Sequence, residues 1–236
     1  MMTFSMKRFS AILRKEMQDL KTNAQVLLMA ILPLGLALFY KQMGGGKEFL
    51  AGIVIVMVLS MVTTITQATL IAEEKEKHTL RVMMLSPASP IEVILGKSLP
   101  IMVLSILLSI ISLFVLDTLK GNIFLLMIII LLGVLLFIII GTMIGLLAKN
   151  LVQVSILGTP IMMIFFAGPL LHLFVKNEIA KKILYYVPTN HIFNAITDAL
   201  EGKGFSSLSG NLMNISIWVF ITFILFLFVY KKKQLD

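Results

Sequence analysis

Six predominantly apolar runs, between 17 and 26 residues long, constrain this chain more than anything else in it. They are Ala24 to Tyr40, Phe49 to Ala72, Leu99 to Leu116, Ile123 to Ala148, Val152 to Val175 and Leu212 to Tyr230. A helix rises about 1.5 Å per residue and a bilayer's hydrocarbon core is about 30 Å thick, so runs of this length are suited to cross it. Backbone groups in hydrocarbon must be satisfied internally, which leaves helices or closed barrels. Continuous Leu/Ile/Val/Met/Phe runs, rather than alternating ten-residue strands, select helices. At 58% hydrophobic and 14% charged residues the chain lies far from a soluble composition. The expectation is an all-α membrane protein with six transmembrane helices in one domain spanning residues 1–236. The first run carries Pro33 and is expected to tilt or kink. It is not read as a cleavable leader, because the basic region before it is long and the proline interrupts its apolar stretch.

Positive loops stay in the cytoplasm. With the N-terminus inside, thirteen lysines and arginines fall on the cytoplasmic side and seven on the other. Both termini are therefore expected in the cytoplasm of a cell that carries this chain in its plasma membrane. The net charge of +8 is a topology and lipid-surface signal. Nucleic acid is not expected as a partner, since the basic residues are interleaved with spans. Cysteine is absent, so no disulfide or thiolate site can form.

Residues 1–23 read as an amphipathic interfacial helix. Phe4, Phe9, Ile12, Leu13, Met17 and Leu20 recur at helical spacing, while Lys7, Arg8, Arg14, Lys15 and Lys21 form a cationic side suited to the membrane surface or to solvent. Gly158, Pro160, Gly168 and Pro169 interrupt the fifth run, as a kinked packing helix or a break lining a cavity would require. Residues 176–211 contain two short helical stretches around Pro188 and are expected to be re-entrant or interfacial on the outer side.

Enzymatic signals are weak. Gly44 to Lys47 and Gly96 to Ser98 both fall short of the phosphate-cradling Gly-x4-Gly-Lys-Ser/Thr pattern, and the three histidines have no metal-ligand spacing. Of the 12 carboxylates, only Asp117 is expected beside an apolar core, which argues against a proton relay. No catalytic residue, bound cofactor or metal is expected on this chain.

The stretch from Glu73 to Lys97 differs. Glu73, Glu74, Lys75, Glu76 and Lys77 extend the second span beyond the membrane, with Glu73 and Lys77 spaced as an i,i+4 pair. Leu80, Val82, Met83, Met84 and Leu85 then present an apolar patch, and Ser86, Pro87, Ser89 and Pro90 stop the helix. Such a short helix fits a cleft on another protein, or rests on lipid.

The order Glu74-x-Glu76, Thr79-Leu80, Leu85-Ser86-Pro87, Glu92 and Leu95-Gly96-Lys97 closely resembles the signature loop of ABC-2 type exporter permeases. Pro188 to Phe193, PTNHIF, looks like that family's outer Pro-containing motif. His78 stands where a glycine is usual and Arg81 where an acidic residue is usual. The resemblance covers nearly the whole chain. It implies a permease paired with a second copy or a homologue and with two ATP-binding subunits that carry ATP and Mg. Within it, Glu73 to Leu85 is the coupling helix between spans two and three. Glu74, Glu76 and Arg81 then set charge register with the ATPase, Leu80, Met84 and Leu85 supply the buried contact, Ser86 and Pro87 fix the turn, and Lys97 anchors the third span at the interface.

For the path itself, span two offers Thr63, Thr66 and Gln67, and span five Met162, Phe165 and Phe166. Hydroxyl residues serve equally as helix-packing contacts. A polar stripe opposite an adaptable Met/Phe wall suits an amphipathic or hydrophobic cargo such as a peptide, an antimicrobial or a lipid-like molecule. An ATP-independent channel or secondary transporter is the alternative.

Overall fold

The computed structural model describes residues 4–43, 46–77 and 89–233. Helix α1 (Met6–Thr22) precedes α2 (Ala24–Met43), and α3 (Lys47–Glu76) follows. Next come α4 (Pro90–Val115), α5 (Ile123–Leu147), α6 (Leu151–Phe174), α7 (Glu178–Tyr185), α8 (Pro188–Leu200) and α9 (Phe205–Lys233). Among the described residues no strand occurs. Helices α2, α3, α4, α5, α6 and α9 are long and apolar enough to cross a membrane, matching the six expected runs.

Polar residues at the joins explain where helices begin. Asn122, Asn150 and Asn177 each turn a side-chain oxygen to the amides that α5, α6 and α7 leave open at their starts. Helix α4 opens with a reciprocal pair: the Glu92 N–H donates to Ser89 Oγ at 3.3 Å, and the Ser89 N–H donates to Glu92 Oε2 at 2.8 Å. Pro90 occupies the first turn, where its missing N–H costs nothing. This helix therefore begins inside the stretch expected as loop, nine residues before Leu99. Helix α9 likewise starts at Phe205, inside the expected outer segment. Helix α6 runs through both Pro160 and Pro169 as one helix, so the expected interruptions do not end it.

Helix α3 is the centre of the bundle, buried almost continuously from Ala51 to Ala72. Between Val58 and Thr63 it widens into a π-helical turn. Its closest neighbour is α5, whose glycines admit the α3 backbone. A Cβ on Gly141 would stand 2.5 Å from the Thr64 carbonyl oxygen, and one on Gly145 2.7 Å from that of Ala68. Small residues four apart allow this approach between membrane helices. At the end away from the termini, α8 is enclosed by the bundle: Phe193 lies edge-on to Phe49 at 5.2 Å and against Gly52. The Asn122 N–H donates to Ala199 O at 2.8 Å, tying α8 to the turn between α4 and α5.

Candidate functional site

At the end of α3 the side chains of three successive residues diverge and reach four other helices. Glu74 turns inward, where its Oε1 accepts from Lys97 Nζ of α4 at 2.8 Å and from Lys15 Nζ of α1 at 2.6 Å. Lys97 also donates to Glu16 Oε1 at 2.7 Å. Lys97 is 2% exposed and Glu16 1%, and Lys15 stands 3.3 Å from Glu16 and 3.5 Å from Asp19. Acids and bases thus alternate in a closed node. Burial works against the Lys15 ammonium, yet the Glu74 hydrogen bond and the charges of Glu16 and Glu74 hold it above the ordinary lysine range. Charges removed from water persist only when paired in this way.

Lys75 turns the other way and donates to the carbonyls of Leu146 and Ala148, each at 2.6 Å, at the end of α5. A cation there also opposes the negative end of the helix dipole. Glu76 Oε2 accepts the Leu151 N–H at 3.1 Å, at the start of α6, where a carboxylate is likewise favoured. Glu73 and Lys77 form the expected i,i+4 pair at 2.6 Å on the exposed side.

A second clamp holds α1 to α4. Arg8 donates from Nε to Glu92 Oε2 at 3.1 Å and from Nη2 to Glu92 Oε1 at 3.0 Å, and the Ser5 N–H adds a further bond to Oε1. Between clamp and node, Gly96 lets the helices touch: a Cβ there would fall 2.6 Å from Ile12 Cγ2.

Two sequence expectations change. Asp117 is exposed at the opposite end, whereas Glu16, Glu74 and Glu92 are the buried carboxylates. Arg8 and Lys15, expected on a lipid-facing or solvated side of α1, instead point at partners in the bundle. Glu16 was the missed residue, and it carried a signal, since it interrupts the apolar stripe of Ile12, Leu13 and Leu20 on one helical face. Thr79, Leu80, Arg81, Met84, Leu85, Ser86 and Pro87, with His78, lie outside the described residues.

The expected path residues of α3 are enclosed by neighbouring helices, and those of α6 only in part. Thr63 Oγ1 donates to the Val58 carbonyl and lies 2.7 Å from Ser105 Oγ. Gln67 Nε2 donates to Ser98 Oγ at 3.1 Å and Thr142 Oγ1 at 3.0 Å, joining α3 to α4 and α5. Thr66 is buried beside it. Met162 is buried too, Phe165 lies edge-on to Phe137 at 5.5 Å, and Phe166 is half-buried. Among the described residues no group of three His, Asp or Glu is placed to hold a metal.

Residues 5–228, which include the clamp, the node and all six long helices, match the family model described as ABC-2 family transporter protein. The chain belongs to this family. An ABC-2 permease is the membrane subunit of a transporter and not itself catalytic, and membership implies association with an ABC ATP-binding subunit. This permease is a multi-pass membrane protein. No curated protein matches it.

Proposed function

We propose that this ABC-2 permease forms the translocation path of an ATP-driven exporter for an amphipathic or hydrophobic cargo: a peptide, an antimicrobial or a lipid-like molecule. The observation that carries the reading is the end of α3, where Glu74, Lys75 and Glu76 bind α1, α4, α5 and α6 within one turn. A push on the segment after Lys77 has direct purchase on five helices. Glu73 to Leu85 is the coupling helix of this reading, seated on the ATPase through Leu80, Met84 and Leu85, with Arg81 setting charge register and Thr79, Ser86 and Pro87 shaping the segment.

Two ATP-binding subunits supply ATP and Mg, and a second copy or a homologous permease completes the path. Both termini face the cytoplasm at the plasma membrane, α1 lies at the interface, and α7 with α8 forms the re-entrant pair. The enclosure of α8 among the outer ends of other helices supports that last assignment. Thr66 Oγ1 and Gln67 Oε1 are enclosed with no protein partner among the described residues. Buried polar atoms of this kind cost free energy, so parting of the α3 seam would satisfy them and bring Thr63, Thr66 and Gln67 to the path beside Met162, Phe165 and Phe166.

The test is mild-detergent affinity purification from native cells with mass spectrometry, alongside export by the same cells, for wild type and Leu80→Asp. A P-loop ATPase recovered with the wild type and lost with the variant, together with lost export at normal membrane levels, is the expected result. An intact preparation without any ATPase, or flux in vesicles driven by an ion gradient without nucleotide, would overturn the reading in favour of an autonomous channel or secondary transporter.

A further inference from the structure

A cleft of about 580 Å³ opens between α4, α5 and α9. Its position along each helix fixes its depth. On α4 it runs from Ile94 to Met102, on α5 from Leu135 to Thr142 and on α9 from Ser216 to Phe226. At about 1.5 Å rise per residue, these positions lie roughly 6–18 Å from the ends of α4 and α5, and roughly 10–26 Å from that of α9, on the side of the termini. One leaflet's share of a hydrocarbon core is about 15 Å, so the cleft occupies the acyl-chain depth of the leaflet on that side.

Its chemistry narrows the occupant. Three hydroxyls border it, and all three are engaged by the protein: Ser98 and Thr142 by Gln67 Nε2, and Ser216 by the Leu212 carbonyl. What remains is hydrocarbon and aromatic surface, with Phe220 65% exposed. A polar or peptide ligand would find almost no polar surface to bond, whereas an acyl chain needs none. At the head of the cleft α9 continues beyond Phe226 to the exposed Lys231 and Lys232. Lys231 sits about 7 Å further along the axis, at headgroup level and about a quarter-turn from the lining face, whereas Lys232 lies on the opposite side of the helix.

We propose that this cleft is a binding site for an anionic phospholipid, with one acyl chain between α4, α5 and α9 and the phosphate at Lys231. The site holds whether or not the export reading does. Its occupant is a structural or regulatory lipid rather than the cargo.

The test places the full-length chain in phosphatidylcholine nanodiscs containing phosphatidylglycerol with a diazirine on its acyl chain, and in parallel discs with the same label on phosphatidylcholine. After illumination, adducts are mapped by mass spectrometry. The expected result is adducts at Met102, Ile139 and Phe223 that favour phosphatidylglycerol. Lys231→Ala should reduce that preference by about fivefold, and Lys232→Ala, on the opposite side of α9, by less. Ile139→Trp, which fills the cleft, should remove those adducts and leave labelling at the exposed Phe114 unchanged. Labelling as dense at Phe114 as in the cleft, a preference that survives loss of both lysines, or cross-links from Phe220 to a second copy would each overturn the proposal. The lysine variants alter exposed side chains alone, so the test stands even if Ile139→Trp fails to fold.

Discussion

The two ends of the bundle hold their charges in opposite ways. On the side of the termini, Lys97, Glu16 and Glu74 are buried, and their partners on other helices lie 23 to 81 residues away in the chain. On the other side Lys41 and Lys47 reach Asp117 at 3.0 and 3.8 Å, Lys120 reaches Glu48, and Lys203 reaches Asp198 and Glu201, all with at least one partner substantially exposed. Exposed pairs are screened and weak, while a buried set is rigid in geometry and costly to leave incomplete. One end is therefore fixed as a unit and the other is free to rearrange, an asymmetry suited to a protein driven from one side.

Removing Lys97 is the hardest blow to that contrast. Lys97→Ala leaves Glu16 and Glu74 buried with one cation fewer, and should lower stability by about 3–5 kcal/mol in thermal or denaturant unfolding in detergent. The charge-balanced pair Lys97→Met with Glu16→Met keeps the Lys15–Glu74 bond and should recover most of that loss. If the double variant were worse than the single, coupling within the node would be misassigned.

Packing comes next. Gly141→Ala sets a methyl against the Thr64 backbone oxygen and should cost about 1–3 kcal/mol, read by the same unfolding measurement. An unchanged midpoint would mean that α3 and α5 are less closely apposed. Glu76→Ala removes the exposed cap on α6 and should cost about 0.5–1 kcal/mol, with faster hydrogen exchange confined to residues 150–153.

The smallest effect belongs to the far end. Asp117→Asn should leave the unfolding midpoint unchanged within error at neutral pH. The Lys41 hydrogen bond and charge hold the Asp117 carboxyl below its ordinary range. Its contribution is present above the unfolded carboxylate value and is lost as pH falls through the depressed one. Lys15 has the opposite sign: its raised value gives stability at and below the ordinary lysine range that disappears as pH climbs through it. Strong alkali should therefore loosen the node through Lys15, while acid should act only weakly at the far end through the exposed Asp117. Alkaline melting with Lys15→Met that matches wild type would break the distinction.

The sequence made the spans legible because twenty apolar residues in a row admit few folds, and the asparagines before α5, α6 and α7 mark their starts. Ser89, Pro90 and Glu92 carry a readable start signal for α4, but a proline reads equally as a stop for the segment before it, and the reciprocal bonds show which role it plays. The node was not legible in the same way, since pairing of Lys97 with Glu16 depends on how α1 folds back across 81 residues. Nor does local composition distinguish a hydroxyl that packs from one that lines a path. Gln67 is assigned to the seam only once Ser98 and Thr142 are seen on either side of it.

The wide turn at Val58–Thr63 makes α3 a counted length. A π turn holds one residue more than the α-helix around it, and each residue added or removed rotates everything beyond it by about 100°. Deleting Ser60 would remove the extra residue and restore regular winding with both flanks in register, whereas a deletion in the regular turns beyond it would swing Glu74 away from Lys97 and Lys75 away from the end of α5. The two halves of α3 keep their separate partners only while any residue added or removed is absorbed in this turn; elsewhere along the helix a change of length sets one half out of phase with the other.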